Sequence, residues 1–357
     1  VGVPAIIGAS SSGVTTTLAT EVTIPSKTLL LSPTATSPTL TDLADDGLVW
    51  RTSPSDTFQG RVMAQLYPRL EARVIAETPA AAGNVRVALA VKGDTYGKGL
   101  RDVILAGLTI NGAAAGTQQG TRLLSKEYEN TDDNPSYDFT PFVTDLYAFK
   151  PHVVIVAGTS EAVNIVMGLE GRLGPGDPRP LYLAADGLVT QDLPQAVDKA
   201  APALGESVRP RIAATLPGNL RSTSFINFKL RFDAKYGSQG LDATNGALGY
   251  DSFYLIAYAI VAAQASPVTG PKIAEGLRKI TGTSGAPLPF EPNRVNQNLQ
   301  YLVSGQVANA IGASGPLDMN PATGDPAADI DVQDFCASGG KTAWRSSGLV
   351  YDAASDQ

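Results

Sequence analysis

The chain has 357 residues, 43% hydrophobic and 17% charged, with a net charge of -7 at neutral pH; this describes a folded chain of two ordinary domains rather than a disordered one. An acidic chain without any Lys/Arg-rich run excludes nucleic acid and anionic membrane surfaces as partners. The single cysteine, Cys336, excludes an internal disulfide and a cysteine-rich metal site, and no apolar run reaches the roughly 18 residues of a bilayer span, residues 253–263 amounting to one core helix.

Val1 opens directly into strand-like sequence without a Met, as a processed or trimmed chain would. Residues 3–7 read as a buried strand, Ser10-Ser11-Ser12-Gly13 as a turn of small hydroxyl residues leading into a short helix, residues 28–31 as a second apolar strand, and Ser32-Pro33-Thr34-Ala35-Thr36 as a second hydroxyl turn. Both turns follow the C-terminal ends of strands. In a parallel α/β sheet ligands sit at that edge, because backbone N–H groups and helix N-termini converge there. Small hydroxyls suit a carboxylate, to which they donate without carrying charge; the alternative at each turn is that they only cap the helix that follows.

Further on, residues 48–52 form a short strand, a helix follows over about 58–70, and residues 85–91 are apolar enough for a buried parallel strand. That strand ends at Gly93-Asp94-Thr95-Tyr96-Gly97-Lys98-Gly99 and a helix over 100–107. The unit recurs: residues 152–157 end at Gly158-Thr159-Ser160, and 181–184 at Ala185-Asp186-Gly187. Strands alternating with helices predict a parallel sheet. Helices follow over 225–236, 248–263 and 272–280. Residues 281–310 show no clear period before 295, residues 315–325 read as a hairpin, and 330–335 alternate as a strand.

The only histidine, His152, follows a proline at the mouth of a strand with no partner lined up for Ser-His or metal chemistry, and reads as structural. There is no G-x-S-x-G elbow, Walker A or G-x-G-x-x-G pattern; Gly171, Gly174 and Gly176 have the wrong order for a nucleotide loop. The reading is therefore a protein that is not an enzyme, with no cofactor and no metal. Among the carboxylates, Asp45, Asp46, Asp132 and Asp133 lie in polar loops, whereas Asp186 directly follows an apolar strand and could face a cleft. Its alternative is a helix N-cap.

Taken together, Gly8-Ala9-Ser10-Ser11-Ser12-Gly13-Val14, Ile24-Pro25, the run from Ser32 to Thr41, Trp50-Arg51-Thr52 with Asp56 and Gln59-Gly60, Tyr96-Gly97-Lys98-Gly99, Tyr250-Asp251 and the run from Gly312 to Asp318 resemble the solute-binding proteins of ABC transporters. The likeness is to the branched-chain amino-acid (Leu/Ile/Val-binding) type, periplasmic binding protein fold I, over nearly the whole chain. It implies two Rossmann-like α/β lobes with parallel sheets joined by three crossovers, with lobe one at 1–82 and 247–309 and lobe two at 83–246 and 310–357. Val1 matches the family's third strand, so the first β-α-β unit is expected to be missing.

The resemblance also implies the site. The ligand's carboxylate and ammonium are expected on the turns that hold Ser11, Ser12, Thr34, Ala35 and Thr36, with Ser12 and Thr36 as hydroxyl donors and Thr34 offering its backbone carbonyl. Tyr96 matches an aromatic contact and Asp186 the acid that pairs with the ammonium. Thr159 falls where leucine-binding members carry Tyr, and Asp186 replaces a longer Glu, so the ligand need not be leucine. The implied function is a monomeric extracytoplasmic receptor, periplasmic or extracellular and open to a lipid anchor on a segment outside this chain. It would bind an amino acid or close analogue between the lobes and deliver it to an ABC permease in the membrane. The alternative on the same fold is a ligand-sensing domain of a regulatory or receptor protein. Lobe closure would turn on crossovers near 79–83, 240–247 and 309–315.

Overall fold

Residues 87–92, VALAVK, are buried along their whole length, as are Val153–Ala157 and Leu181–Ala184. Strands covered on both faces lose the polar alternation of half-exposed ones. In the computed structural model, which describes residues 2–218, 220–237 and 243–352, these strands pair in parallel. Leu123–Tyr128 flanks Val87–Lys92, and Ile212–Pro217 flanks Leu181–Ala184. An antiparallel pair, Ile330–Ser338 with Lys341–Tyr351, continues the sheet beyond Ile212–Pro217, for seven strands among the described residues. Side chains alternate between faces. Val87, Leu89 and Val91 pack against Met63, Tyr67, Leu100 and Ile104 of the helices Asp56–Glu77 and Thr95–Gly107. Ala88 and Ala90 face the helices Thr140–Phe149 and Val163–Glu170 through Phe142, Leu146, Ile165 and Val166.

A second sheet is built from Ala5–Ile7, Leu29–Ser32 and Val49–Arg51, all parallel. Leu29 and Leu31 pack on Leu255, Tyr258, Ile273 and Leu277 from the helices Ala243–Ala263 and Gly270–Ile280. Leu30 points to the other face, with Ala19 and Val49. The stretch without a clear period, 281–310, contains the strand Ala286–Pro289, the helix Val295–Val303 and the strand Ala308–Ile311, the two strands pairing in parallel. Pro287 and Pro289 in a four-residue strand hide it from a pattern search. The expected hairpin is a tight turn closed by a Met319–Pro326 bridge and the Asn320 N–H bond to Asp325 O of 2.8 Å.

The chain divides into two compact units, one of Val1–Ser55, Pro217–Asp329 and Asp352–Gln357, the other of Asp56–Leu216 and Ile330–Tyr351. These bounds differ from the expected ones at 82/83, 246/247 and 309/310. The helix Asp56–Glu77 falls in the second unit because Met63, Tyr67 and Val74 complete its sheet's core. Phe225 and Phe228 of the helix Thr223–Tyr236 pack on Ala243 and Ala247, and Leu317 and Met319 lie in the core around Leu255, so residues 217–329 stay with the first unit. Of the proposed crossovers, 79–83 and 309–315 fall inside units, while residues 240–242 lie outside the described residues.

The helix Ala243–Ala263 has 21 residues and is long and apolar enough to cross a bilayer by length and composition, more than the sequence pattern suggests. Here it is a core helix: Leu255, Ala259 and Ala262 are buried. It also carries Asp251, fully buried, whose carboxylate accepts from Ala313 N (2.6 Å), Ser314 N (2.8 Å) and Ser314 Oγ (2.6 Å). Gly312 is required beside it, since a Cβ there would stand 2.3 Å from Asp251 Oδ2. Burial raises the Asp251 carboxyl to about 6 against the pull of these donors.

That shift sets a sign. Native Asp251 titrates near 6 and an unfolded Asp near ~3.9, so the native state binds the extra proton between those values. The group's contribution to stability therefore rises as pH falls from about 7 to about 4. Asp251→Asn should lower stability by about 1–3 kcal/mol at pH 7, since an NH2 replaces an acceptor facing N–H donors. The gap from wild type should widen toward pH 4.5. Urea titrations of both proteins at the two pH values read it; a gap that narrows on acidification excludes a raised carboxyl.

Candidate functional site

In the first unit the two hydroxyl turns lie side by side at the ends of Ala5–Ile7 and Leu29–Ser32, because those strands are paired neighbours. Ser12 is buried, and its Oγ accepts from both Thr36 N and Ser37 N at 3.2 Å. Thr34 Oγ1 donates to Ser10 O at 3.0 Å. Ser32 Oγ donates to Ala9 O at 2.5 Å and accepts from Ala35 N at 3.1 Å. The turns are thus laced together by their own hydroxyls. Neither sequence reading anticipated this: Ser11 holds the N-cap position of the helix Ser12–Leu18 without a side-chain cap bond, and Ser12 braces the neighbouring turn. Having accepted two N–H groups, Ser12 Oγ keeps its proton to donate. Ser11 and Thr34 are partly buried, and Ala35 and Thr36 are buried.

The second turn is also held from within. The Arg51 guanidinium, 2% exposed, donates to Ser37 O at 2.8 Å, Ala35 O at 3.4 Å and Thr41 Oγ1 at 2.6 Å, and pairs with Asp325 at 2.6 Å. Thr41 Oγ1 closes the ring by donating to Asp325 at 2.7 Å. Trp50-Arg51-Thr52 stood out in the sequence as a motif, but the role of Arg51 as a brace under the turn needs Asp325, which is 274 positions away.

In the second unit Tyr96, Thr159 and Asp186 come together at the C-terminal ends of Val87–Lys92, Val153–Ala157 and Leu181–Ala184. Tyr96 Oη donates to Asp186 Oδ1 at 2.7 Å and accepts from Gly187 N at 3.3 Å. Gly187 has to be glycine for this approach, since a Cβ would lie 2.5 Å from Gly158 O and 3.0 Å from Thr159 Cγ2. The N-cap of the 3-10 turn Asp186–Leu188 is Ala185, and the Asp186 carboxylate is turned to Tyr96. Burial raises the Asp186 carboxyl, opposed by the hydrogen bond from Tyr96. Burial, then the charges of Asp186 and Asp56, push the Tyr96 hydroxyl well up, so it keeps its proton and donates it to Asp186. His152, read as structural, accepts from Arg86 N at 3.0 Å through Nδ1.

Sequence reasoning missed three residues here. Glu161 binds Thr159 twice, through its hydroxyl and through its N–H at 3.0 Å, and accepts from Tyr128 Oη at 2.6 Å. Lys92, 3% exposed, reaches Thr159 Oγ1 at 3.3 Å and pairs with Asp132 at 3.0 Å and Asp94 at 3.4 Å. Burial pushes its ammonium down, but Asp132, Glu161 and Asp94 outweigh it and hold it raised. Asp132, read as a solvated loop acid, is thus a counterion. The third is Gln59, whose Nε2 bonds Thr215 O (3.1 Å) and Thr215 Oγ1 (3.0 Å). In the sequence it stood only within the motif that joins Asp56 and Gly60, with no partner indicated.

Since Ser12 accepts two backbone N–H groups, Ser12→Ala should cost about 1–3 kcal/mol of stability by leaving Thr36 N and Ser37 N without their acceptor, with Ser12→Thr restoring part of it. Thermal unfolding of the three proteins checks this; equal midpoints for Ala and wild type exclude the brace.

No protein-family model matches the chain, and no curated protein matches it. Solved structures do. A leucine-binding protein, LivK, from Thermotoga maritima superposes with a TM-score of 0.66 at 20% identity, over 99% of this chain and 81% of its own. A solute-binding protein of an ABC transporter from Rhodopseudomonas palustris in complex with 3,4-dihydroxybenzoic acid gives 0.62 at 14%, over 98% and 79%. A periplasmic binding protein type 1 from Bordetella pertussis gives 0.62 at 16%, over 96% and 81%. Mostly parallel sheets in two α/β units and these superpositions together make this chain's fold that of the type 1 periplasmic binding proteins.

Proposed function

We propose that the protein is a non-enzymatic receptor for a small carboxylate-bearing solute, an amino acid or close analogue, which it hands to an ABC permease. The observation that carries the reading is the juxtaposition of the two hydroxyl turns, where the buried Ser12 keeps a proton to donate at the strand-end edge. In the second unit, the Asp186 carboxylate accepts from the neutral donor Tyr96, an arrangement that suits a ligand ammonium as its counterion. Neighbours on this fold include a leucine-binding protein and ABC substrate-binding proteins, which supports delivery to a permease.

A second ligand class is favoured by one observation. Asp186 is raised, and a protonated carboxyl can donate to a ligand carboxylate, as a plain or aromatic acid would need. Two carboxylates at ~4 Å repel by about 4 kcal/mol at an effective dielectric near 20, whereas an α-ammonium reverses the sign.

The two classes separate by pH and by mutation. If the ligand is a zwitterion, Asp186→Asn should weaken it by about tenfold or more through loss of a charge-assisted contact, and wild-type affinity should fall as acid protonates Asp186. A plain acid should instead bind better as pH falls and be spared by Asp186→Asn. Calorimetry of both proteins with an amino acid and its deaminated analogue at pH 7.5 and 5 gives the answer. Failure to bind either compound overturns the proposal.

A further inference from the structure

Glu161 lies in the 3-10 turn Ser160–Ala162 and reaches back over its start. Its carboxylate accepts from Thr159 N at 3.0 Å, from the Thr159 hydroxyl and from Tyr128 Oη at 2.6 Å. Tyr128 is itself fixed: it is buried edge-on against Phe142, with ring centroids 5.5 Å apart, and a Cβ on Gly158 would collide with its hydroxyl. From the other side Lys92 donates to Thr159 Oγ1 at 3.3 Å and pairs with Asp132 and Asp94. A hydroxyl has one proton to give, and Thr159 gives it to Glu161. Thr159, expected among the ligand contacts, therefore keeps no proton for a ligand. What it brings to the site is its methyl. The point where a Gly187 Cβ would stand lies 3.0 Å from Thr159 Cγ2 and 3.1 Å from Tyr96 Oη, so the methyl and the hydroxyl that binds Asp186 border the same space.

We infer that Glu161 is the positioning residue that locks the Thr159 rotamer, so that this position meets an apolar group of the ligand with its methyl and gives no hydrogen bond from its hydroxyl. Threonine needs such a lock. Its Oγ1 and Cγ2 are alike in size and change places by a rotation about χ1 between staggered wells, so the bonds made by Oγ1 decide which of the two stands beside Gly187. Here Glu161 supplies the acceptor, and by also taking the Thr159 N–H it is tied to the main chain of the residue it orients. The protons of the cluster are spent within it: those of Thr159 and Tyr128 go to Glu161, and the Lys92 ammonium faces Thr159, Asp132 and Asp94. A ligand acceptor would find no donor there. The inference rests on the proposed function for what the methyl meets, and it narrows the ligand class: beside the group that faces Asp186, the solute is apolar, as an aliphatic amino acid is.

The lock is tested on the free protein. Three-bond NMR couplings to the Thr159 γ-methyl carbon report χ1 directly, with Thr159→Ser assigning the signal. The wild type should show one rotamer, Glu161→Ala an averaged coupling, and Glu161→Gln, whose amide oxygen still accepts, the single rotamer again. An averaged coupling in the wild type, or an unchanged one in Glu161→Ala, overturns the inference; if Glu161→Ala does not fold, Glu161→Asp, which draws the carboxylate back by one methylene, takes its place with the same two readings. In the affinity arm the probe is the tightest-binding of the twenty standard amino acids. Thr159→Ser, which keeps the hydroxyl and loses the methyl, should weaken it about fourfold, the worth of one buried methyl group. Thr159→Val, which has a methyl in both places, should weaken it less than Thr159→Ser does. The reverse order assigns ligand binding to the hydroxyl and overturns the inference. A wild type that binds none of the twenty overturns the amino-acid reading of the proposed function alone, because the couplings still decide the role of Glu161.

Discussion

The buried guanidinium of Arg51 is the constraint on which the first unit's strand-end architecture depends. A charge taken out of water is tolerable only when its hydrogen bonds and its counterion are all supplied. Here Asp325 provides the charge, Thr41 bonds both members of the pair, and the carbonyls of Ala35 and Ser37 take further N–H groups. The demand runs both ways. Satisfying Arg51 forces the second hydroxyl turn to fold back over the strand that bears it. It also draws in the 318–327 loop, where Arg51 N donates to Gly324 O at 3.1 Å.

Once that turn is fixed, the first can be added cheaply. Backbone N–H groups of Thr36 and Ser37 converge on Ser12, and Thr34 reaches Ser10 O, so a few hydroxyls replace what would otherwise be water. Thr52 extends the same network inward, its hydroxyl lying 3.2 Å from Leu248 O and from Ser252 Oγ on the long apolar helix. Preorganisation of this kind reduces the ordering that a bound solute would impose.

The second unit solves its strand ends with charge instead. Lys92 and Glu161 bond Thr159, Asp94 and Asp132 pair with Lys92, and Asp186 accepts from Tyr96. Shared folds hold such different solutes because the sheet fixes only where the strand ends lie, while the residues just past them set the chemistry. The structural neighbours agree in fold at 14–20% identity and yet bear leucine in one case and an aromatic acid in another.

Local pattern carried the fold a long way. Fully apolar strands, hydroxyl and glycine turns after them, and helices between them report backbone requirements over a few residues, so the parallel α/β class, the hydroxyl turns and the place of Asp186 were legible in the sequence. Unit boundaries were not, because the membership of Asp56–Glu77 is decided by which sheet buries Met63 and Tyr67. Nor were the braces. Arg51 with Asp325, Ser12 with Thr36, Lys92 with Asp132 and Gln59 with Thr215 join residues 24 to 274 positions apart. The sequence by itself determined which groups stand at the strand ends. Only tertiary structure decided which of them are used up in holding one another, since a hydrogen bond between distant residues depends on packing that no local period records.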